Sequence, residues 1–342
     1  MFTDIGIDLG TYKTSIISGR NSVIIEPSVV AVDTETGKPL YFGKEAKALE
    51  GRTDECITVV HPIVKGVVSD MDLATRMIRF FLKKSFGNRI VKPRVVVTAP
   101  GNATAVEQRS ATQIVQEAGG RQVNVIETVT AAAIGLGLNF NVPKGNMIVD
   151  IGAGITEIAV ISMGGVAQSA TLKVGSADFD DAIVKYVRRE LGTHIGPHTA
   201  ERIKIQIGSA VGRPFSLTMQ AGGVDINTGK PRSFSVTSAG IYEAISDYLA
   251  MIAEGVTSVL EKTTPELSGD IAGEGIVLIG SGALMFGFEE LISTTAKIPC
   301  KLAEEPSGRV LRGAGIAVRT PELFRNSDYE YRTRKNLFSD ET

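Results

Sequence analysis

Two short stretches hold the residues with the types and spacing for chemistry: DLGTYKT, Asp8 to Thr14, and DIGAGIT, Asp150 to Thr156. Both read Asp–apolar–Gly–x–x–x–Thr. Both follow apolar residues (Ile5 and Ile7; Met147, Ile148 and Val149) and run on into alternating apolar positions. A glycine hairpin turn lets the backbone come close to a ligand, and its N–H groups form a concavity for anions. A threonine beside the turn, Thr14 or Thr156, offers a further hydroxyl to phosphate. An aspartate at the strand end, Asp8 or Asp150, suits hydrated Mg2+, which keeps its waters and takes one or two carboxylates. Two such turns facing each other would clamp a polyphosphate from both sides. The plainer alternative is two ordinary hairpins, each with a buried Asp. Finding the phrase twice, at the head of two similar segments, favours the clamp.

Other phosphate motifs fail. Lys38, Lys44 and Lys230 each follow a glycine, but none precedes Ser or Thr, so G-x-x-x-x-G-K-[ST] is absent. The dinucleotide fingerprint lacks its third glycine in both candidate places, where Glu157 and Met285 stand. GSGAL, Gly280 to Leu284, reads as a strand-to-helix junction. Its small residues leave room for a base or ribose beside a helix N-terminus, or they pack that helix onto its strand; both readings stay open. In TAERIK, Glu201 and Lys204 form a solvated helix face or, in a nucleotide cleft, a ribose acceptor and a border to the base.

The elements that must position these residues alternate. DIGIDLG, TSIISG and SVIIEPSVVAV read as short strands. A helix from near Asp72 carries Leu73, Met77, Phe80 and Phe81 at helical spacing. RVVVTAP is a buried strand. A helix capped by the box Thr104/Glu107 follows, with Val106, Ile114, Val115 and Ala118 on its apolar face. The strand QVNVIE and the helix AAAIGLGL close this half. MIVDIG, TEIAVIS and VAQSATLKVG then restart the pattern as a meander. The next helix has Ile183, Tyr186, Val187 and Leu191 on one face, with Asp180 and Asp181 in its first turn and Arg188 and Arg189 in its last. THIGPHT reads as a surface loop, and residues 215–237 as a small β unit. Ser238 is expected to cap a long helix running through Ile241, Ile245, Leu249, Ile252, Val256 and Val259. This order is α/β and built twice, with a cleft expected between the halves.

The 342 residues and 43% hydrophobic content suffice for two domains. With 36 basic against 38 acidic residues there is no basic excess, and no nucleic-acid partner is expected. Cys56 and Cys300 make no disulfide framework and fit a reducing cytosol. His61, His194 and His198 do not combine with them at zinc spacing. MFTDIGIDLG lacks a basic leader before an apolar core, and no run approaches the ~20 apolar residues of a membrane span. A cytoplasmic chain is expected.

GIDLGTYKT, EPSVVAV, PRVVVTAP, AAAIGLGL, VDIGAGITEIAVIS, TAERIKIQIGSA, LEKTTPEL and GIVLIGSGAL stand in the order seen in the MreB family, the bacterial actin-like cytoskeletal proteins. The resemblance covers Asp4 to about Arg319. The phosphate phrases alone resemble the wider actin, sugar-kinase and heat-shock-chaperone ATPase fold; TAERIKIQIGSA and LEKTTPELSGDI are specific to MreB. The resemblance implies an actin-like ATPase fold: two duplicated RNase H-like lobes with small inserted subdomains and ATP with Mg2+ in a central cleft. Residues 1–145 would form lobe I (insert about 33–92), 146–325 lobe II (insert about 192–237), and 326–342 a flexible polar tail. It further implies self-association into paired protofilaments on the inner face of the cytoplasmic membrane, where cell-shape and cell-wall synthesis proteins are the partners. By position, Thr11, Tyr12, Lys13 and Thr14 would supply the first phosphate loop and Gly152, Ala153 and Gly154 the second. Glu201, Arg202, Ile203 and Lys204, with Ser281, Gly282, Ala283 and Leu284, would border the nucleoside. Asp8 and Asp150 would face the metal through water.

The chain departs from the family pattern where it matters. Tyr12-Lys13 replace Ala-Asn, Ile155 removes one hydroxyl from the second loop, and Ser281 replaces a glycine. VIETVTAAAIG has Thr128 where the family pattern Glu-Glu-Pro sets a water-orienting Glu. A hydroxyl cannot act as a carboxylate base, so ATP is expected to bind and to hydrolyse slowly, with Glu127 as the first substitute. KKSFGNRIVKPR, with Phe86, Ile90 and Val91 among basic residues, lies where the family carries its membrane-inserting loop; a solvated loop is the alternative. A sugar-type kinase is the rival function, though no stretch stands out as its aspartate base. A chaperone-type ATPase would need a peptide-binding domain, which the stretch 326–342 cannot supply.

Overall fold

The computed structural model describes residues 4–19, 22–87, 92–139 and 142–320. The first half opens with an antiparallel meander, β1 (Asp4–Leu9), β2 (Lys13–Ser18) and β3 (Ser22–Pro27). β-branched residues suit the pleat, and Ile5, Ile7 and Ile16 lie fully buried. β4 (Val30–Asp33) joins β5 (Pro39–Phe42) and β6 (Ile57–Val60) in a small sheet, with α1 (Lys44–Leu49) against it. β7 (Ile63–Val64) and β8 (Val67–Val68) form a hairpin whose turn, Lys65-Gly66, has both residues at positive φ (49° and 80°). α2 (Met71–Phe86), β9 (Arg94–Ala99), α3 (Ala105–Ala118), β10 (Gln122–Glu127) and α4 (Thr128–Leu136) follow. β9 and β10 add to β1 in parallel, giving the order β10-β9-β1-β2-β3.

The second half repeats this plan. β11 (Asn146–Ile151), β12 (Thr156–Ser162) and β13 (Gly165–Leu172) form the meander and lead into α5 (Ser176–Leu191). β14 (Thr193–His194) and α6 (Pro197–Ile207) precede the hairpin of β15 (Thr218–Asp225) and β16 (Pro231–Thr237). α7 (Ser238–Glu261), α8 (Pro265–Glu274), β17 (Ile276–Ile279), α9 (Phe288–Ala296), β18 (Cys300–Leu302) and α10 (Arg309–Ala317) complete it. The sheet order, β13-β12-β11-β17-β18, matches the first in sequence and in strand sense. The duplication expected from two short phrases is thus a duplication of topology.

Each sheet has its own core. Met77, Ile78, Phe81 and Ile114 pack against β1 and β9; Phe179, Ile183, Ile245 and Phe288 pack in the second half. A third cluster joins them. Ala131, Ala132 and Ala133 of α4 meet Ala314 and Ala317 of α10, with Val96 from one sheet and Ile148 and Ile279 from the other. α4 is apolar all round, as a helix buried on every side must be. The two helices cross so closely that a Cβ at Gly135 would strike the Arg309 carbonyl, and one at Gly313 the Ala131 carbonyl.

Several local expectations differ. α2 is capped by Asp70, which accepts from Leu73 N, so Asp72 lies one position inside the helix. Phe80 is half-exposed and stacks on Phe42 rather than facing the core. The Thr104/Glu107 capping box forms, but Val106 is 67% exposed because it sits in the first turn, away from the sheet. α5 starts at Ser176, so its first-turn acid is Asp178; Asp180 and Asp181 lie further in. THIGPHT is no loop: His194 is in β14, and Pro197 opens α6, where a missing N–H costs nothing. Thr237, not Ser238, caps α7; the Ser238 hydroxyl accepts from Leu217 N instead. The stretch 326–342 lies outside the described residues, as do Ile90 and Val91; Phe86 ends α2. Among the described residues no helix is long and apolar enough to cross a membrane.

Gly313→Ala is expected to destabilise the chain by about 2–3 kcal/mol or more, since both partners are backbone and cannot yield. Urea unfolding measures it; unchanged stability would contradict the tight α4–α10 crossing.

Candidate functional site

The β1–β2 and β11–β12 turns are built alike. Gly10 N–H donates to the Lys13 carbonyl (3.1 Å), and Gly152 N–H to the Ile155 carbonyl (3.0 Å). They face each other so closely that a Cβ on Gly154 would lie 2.5 Å from Thr11 Oγ1. Ser28 steadies the first turn, donating from N to the Tyr12 carbonyl (3.0 Å) and from Oγ to the Gly10 carbonyl (2.7 Å). The start of α5 steadies the second: Ser176 N–H donates to Gly152 O (3.0 Å) and Ala177 N–H to Ala153 O (2.9 Å). One cavity is lined by both turns, Asp8, Asp150, Glu157, Thr128, Gly66, Pro100, Gly280 and Ser281.

The charge in this cavity is crowded. Asp8 is half-buried in the cavity wall. Burial pushes its carboxyl up to about 6, against the pull of Lys13 and the Thr98 hydroxyl. Burial, then the neighbouring Asp8, pushes Asp150 up to about 7. Burial also pushes Glu157 up to about 8; the Gly101 N–H (2.8 Å) works against this rise, and Asp150 adds to it. Close buried carboxylates disfavour one another's ionisation, and a cation relieves them all. Among the described residues no group of three or more His, Cys, Asp or Glu is gathered to hold a metal. Two carboxylates across a narrow gap suit an ion that keeps its own water shell, so the donor set fits Mg2+.

A second cavity, about 400 Å³, adjoins the first, within the range of ligand pockets. Glu201, Lys204 and Ile205 of α6 and its C-cap Gly208 line it together with Phe179, Arg213, Ser281, Gly282 and Leu284. The three α6 residues share a face at i, i+3 and i+4. Glu201 accepts from Tyr12 Oη (2.6 Å) across the cleft, and Lys204 Nζ is held by Asp180 (2.6 Å) and the Ser176 carbonyl (2.9 Å). The Lys65-Gly66 turn spans the same cleft. Gly66 N–H donates to Thr11 Oγ1 (2.8 Å), and Lys65 Nζ lies 2.7 Å from both oxygens of Asp178.

The structure therefore brings together Asp8, Thr11, Tyr12, Lys13, Asp150, Gly152, Ala153, Gly154 and Ser281, with Thr128 beside them, and sets Glu201, Lys204, Gly282 and Leu284 next door. Other expected residues stand elsewhere. Thr14 and Thr156 are buried behind the turns, where Thr14 Oγ1 meets Ser28 Oγ (2.9 Å) and Thr156 Oγ1 donates to the Val174 carbonyl (2.9 Å). Their hydroxyls brace the hairpins rather than face phosphate, because strand neighbours alternate sides. Ile203 and Ala283 belong to the second core, and Arg202 points outward. Gly282–Leu284 is a single 3₁₀ turn, and the next α-helix starts only at Phe288, so no α-helix N-terminus adjoins GSGAL. Glu127 ends β10 at the N-cap position of α4 and lies outside the cavity lining; Glu157 lines it. Glu157 was legible: β12 pairs it directly with Asp150, so both share a face. Lys65, Gly66 and Asp178 carried no such signal.

A family model described as "MreB/Mbl protein" matches residues 2–326. The cell shape-determining protein Mbl of Bacillus subtilis (strain 168) is 39% identical over 315 residues, covering 92% of this chain and 95% of the relative. The cell shape-determining protein MreB of Escherichia coli (strain K12) is 41% identical over 327 residues, 94% of each chain. MreB5 of Spiroplasma citri bound to AMPPNP superposes with a TM-score of 0.89 at 33% identity, covering 94% of this chain and 97% of that one. A MamK double helical filament superposes with a TM-score of 0.78 at 22% identity, covering 94% and 99%, a likeness of fold. The fold is actin-like.

Unfolded aspartates titrate near ~3.9, whereas Asp8 and Asp150 titrate at about 6 and about 7 in the fold. The metal-free fold binds these protons more tightly than the unfolded chain does. Its stability is therefore lost as pH rises from about 4 through about 7. Asp150→Asn cannot ionise. It should raise the metal-free thermal midpoint at pH 8, lose that advantage towards pH 5, and respond less to Mg2+; equal midpoints at pH 8 would contradict the crowding.

Proposed function

The chain belongs to the MreB/Mbl family, and from that premise we propose that it binds ATP with Mg2+ in the cleft and polymerises into membrane-associated filaments that guide cell-wall synthesis and rod shape. The observation that carries this reading is the pair of turns closed alike and set face to face, with Asp8 and Asp150 between them. A polyphosphate enters between Thr11–Lys13 and Ala153–Ile155, and Lys13 adds a positive charge. Mg2+, when bound, offsets phosphate charge; Asp8 and Asp150 hold its waters. The base and ribose occupy the adjoining cavity, where ribose hydroxyls exchange with Tyr12 Oη for the Glu201 carboxylate.

Names of relatives support the assembly part of the reading: Mbl and MreB are called cell shape-determining, MreB5 is described bound to AMPPNP and to ADP, and MamK as a double helical filament. The halves divide near residue 145, with the β5-β4-β6 and β14-β15-β16 sheets as the small inserted units. Membrane contact is assigned to the segment with Phe86, Ile90 and Val91 among Lys83, Lys84, Arg89 and Lys92, whose mixed apolar and basic character suits an anionic lipid surface. Self-association, the inner membrane face and cell-wall synthesis proteins are the partners of this reading. Hydrolysis is slow, because Thr128 offers a hydroxyl where water orientation calls for a carboxylate.

Sedimentation with ATP, Mg2+ and anionic liposomes, alongside phosphate release, tests it. Nucleotide-dependent pelleting with slow release is expected, and Phe86→Ser/Ile90→Ser should lose liposome binding but keep the filaments. No nucleotide-dependent pelleting would contradict the filament; undiminished liposome binding would contradict the membrane segment.

A further inference from the structure

We propose that Glu157 orients the attacking water in the chain's ATP hydrolysis; this rests on the ATP-binding reading above. Phosphoryl transfer to water needs a group that aligns the nucleophile, and the rest is positioning and charge stabilisation. Three carboxylates line the phosphate cavity: Asp8, Asp150 and Glu157. The two aspartates stand at corresponding strand ends, each at the foot of a turn. Glu157 stands apart from that symmetry. It is the cross-strand partner of Asp150, whereas the corresponding partner of Asp8 is Ser15. The duplicated hairpins therefore differ at this position, and the second places a carboxylate there at 3% exposure. Enclosing a carboxylate is costly unless it is used and hydrogen-bonded.

Its surroundings fix its aim. Gly101 N–H, from the loop after β9, donates to Oε1 across the gap between the halves (2.8 Å). The Thr128 hydroxyl, from the first turn of α4, lies between the Ala99 carbonyl (3.1 Å) and the Glu157 carboxylate. Glu157 thus bears on the same spot of the cavity as Thr128, but from the opposite half. A carboxylate held by groups of the other half orients water only when the halves are closed on each other.

The step balances simply. The water oxygen bonds to the terminal phosphorus as the bridging P–O bond breaks, and ADP leaves with the electron pair. The water proton passes to the Glu157 carboxylate, ionised once a cation relieves the crowding, and on to solvent. Thr128, its hydroxyl proton donated to the Ala99 carbonyl, borders the carboxylate in the same cavity.

The test uses the full chain with Glu157→Gln, Glu157→Asp and Thr128→Glu/Glu157→Gln. Single-turnover phosphate release should fall about hundredfold in Glu157→Gln and about as far in Glu157→Asp, whose carboxylate is drawn back by one methylene. Thr128→Glu should restore release in the Glu157→Gln background. Binding of ADP–aluminium fluoride, which mimics the transferring phosphoryl group, should weaken by a similar factor while AMPPNP affinity and AMPPNP-dependent pelleting stay within about twofold. Wild-type release in Glu157→Gln would overturn the assignment. So would equal loss of AMPPNP and ADP–aluminium fluoride binding, which marks a structural role. A wild-type chain that binds AMPPNP and pellets but releases no phosphate above the uncatalysed rate would overturn this inference and leave the filament standing. No AMPPNP binding at all would overturn the ATP reading, and this one with it.

Discussion

The structure depends on holding two tight turns, and the carboxylates at their feet, against each other without letting them relax. Thr11 and Gly154 are in contact range, and burial raises the carboxyls of Asp8, Asp150 and Glu157, with neighbouring carboxylates adding to the rise of Asp150 and Glu157. Such a site exists only if something stiffer than the repulsion fixes both walls. The α4–α10 crossing does this from below: its alanines and glycines let two backbones meet, and each sheet contributes residues to the same cluster. Above, Lys65 to Asp178 and Tyr12 to Glu201 tie the halves across the cleft. Both upper ties are side-chain contacts at the cavity mouth and can open for a ligand; the lower one is backbone packing and cannot.

This division explains where function can reside. A divalent cation that offsets the trapped negative charge is worth more in this cavity than in water, because little solvent competes.

Much of this was legible because the sequence repeats itself. Asp8 and Asp150, each followed two residues on by glycine, marked the two walls, and the alternation of strands and helices marked the duplicated sheets. The differences share a physical cause. Proximity in sequence suggests that Thr14 and Thr156 donate to phosphate, yet strand alternation turns them into the hairpins. The same alternation, through the Asp150–Glu157 pairing, turns Glu157 toward the cavity, while Glu127 stays outside the lining. The TAERIK run split likewise: helical spacing sends Glu201 and Lys204 to the pocket and Ile203 to the core. The ties of Lys65 to Asp178 across the cleft and of Gly66 to Thr11 within the first half had no sequence signal, since they join residues far apart in the chain through a two-residue turn.

A crystal structure of the chain with AMPPNP and Mg2+ decides whether both turns together clamp a metal-bound polyphosphate. Phosphate oxygens are expected between Thr11–Lys13 and Ala153–Ile155, with the metal's waters on Asp8 and Asp150. Phosphates held by one turn alone, or a metal coordinated away from both aspartates, would contradict the clamp.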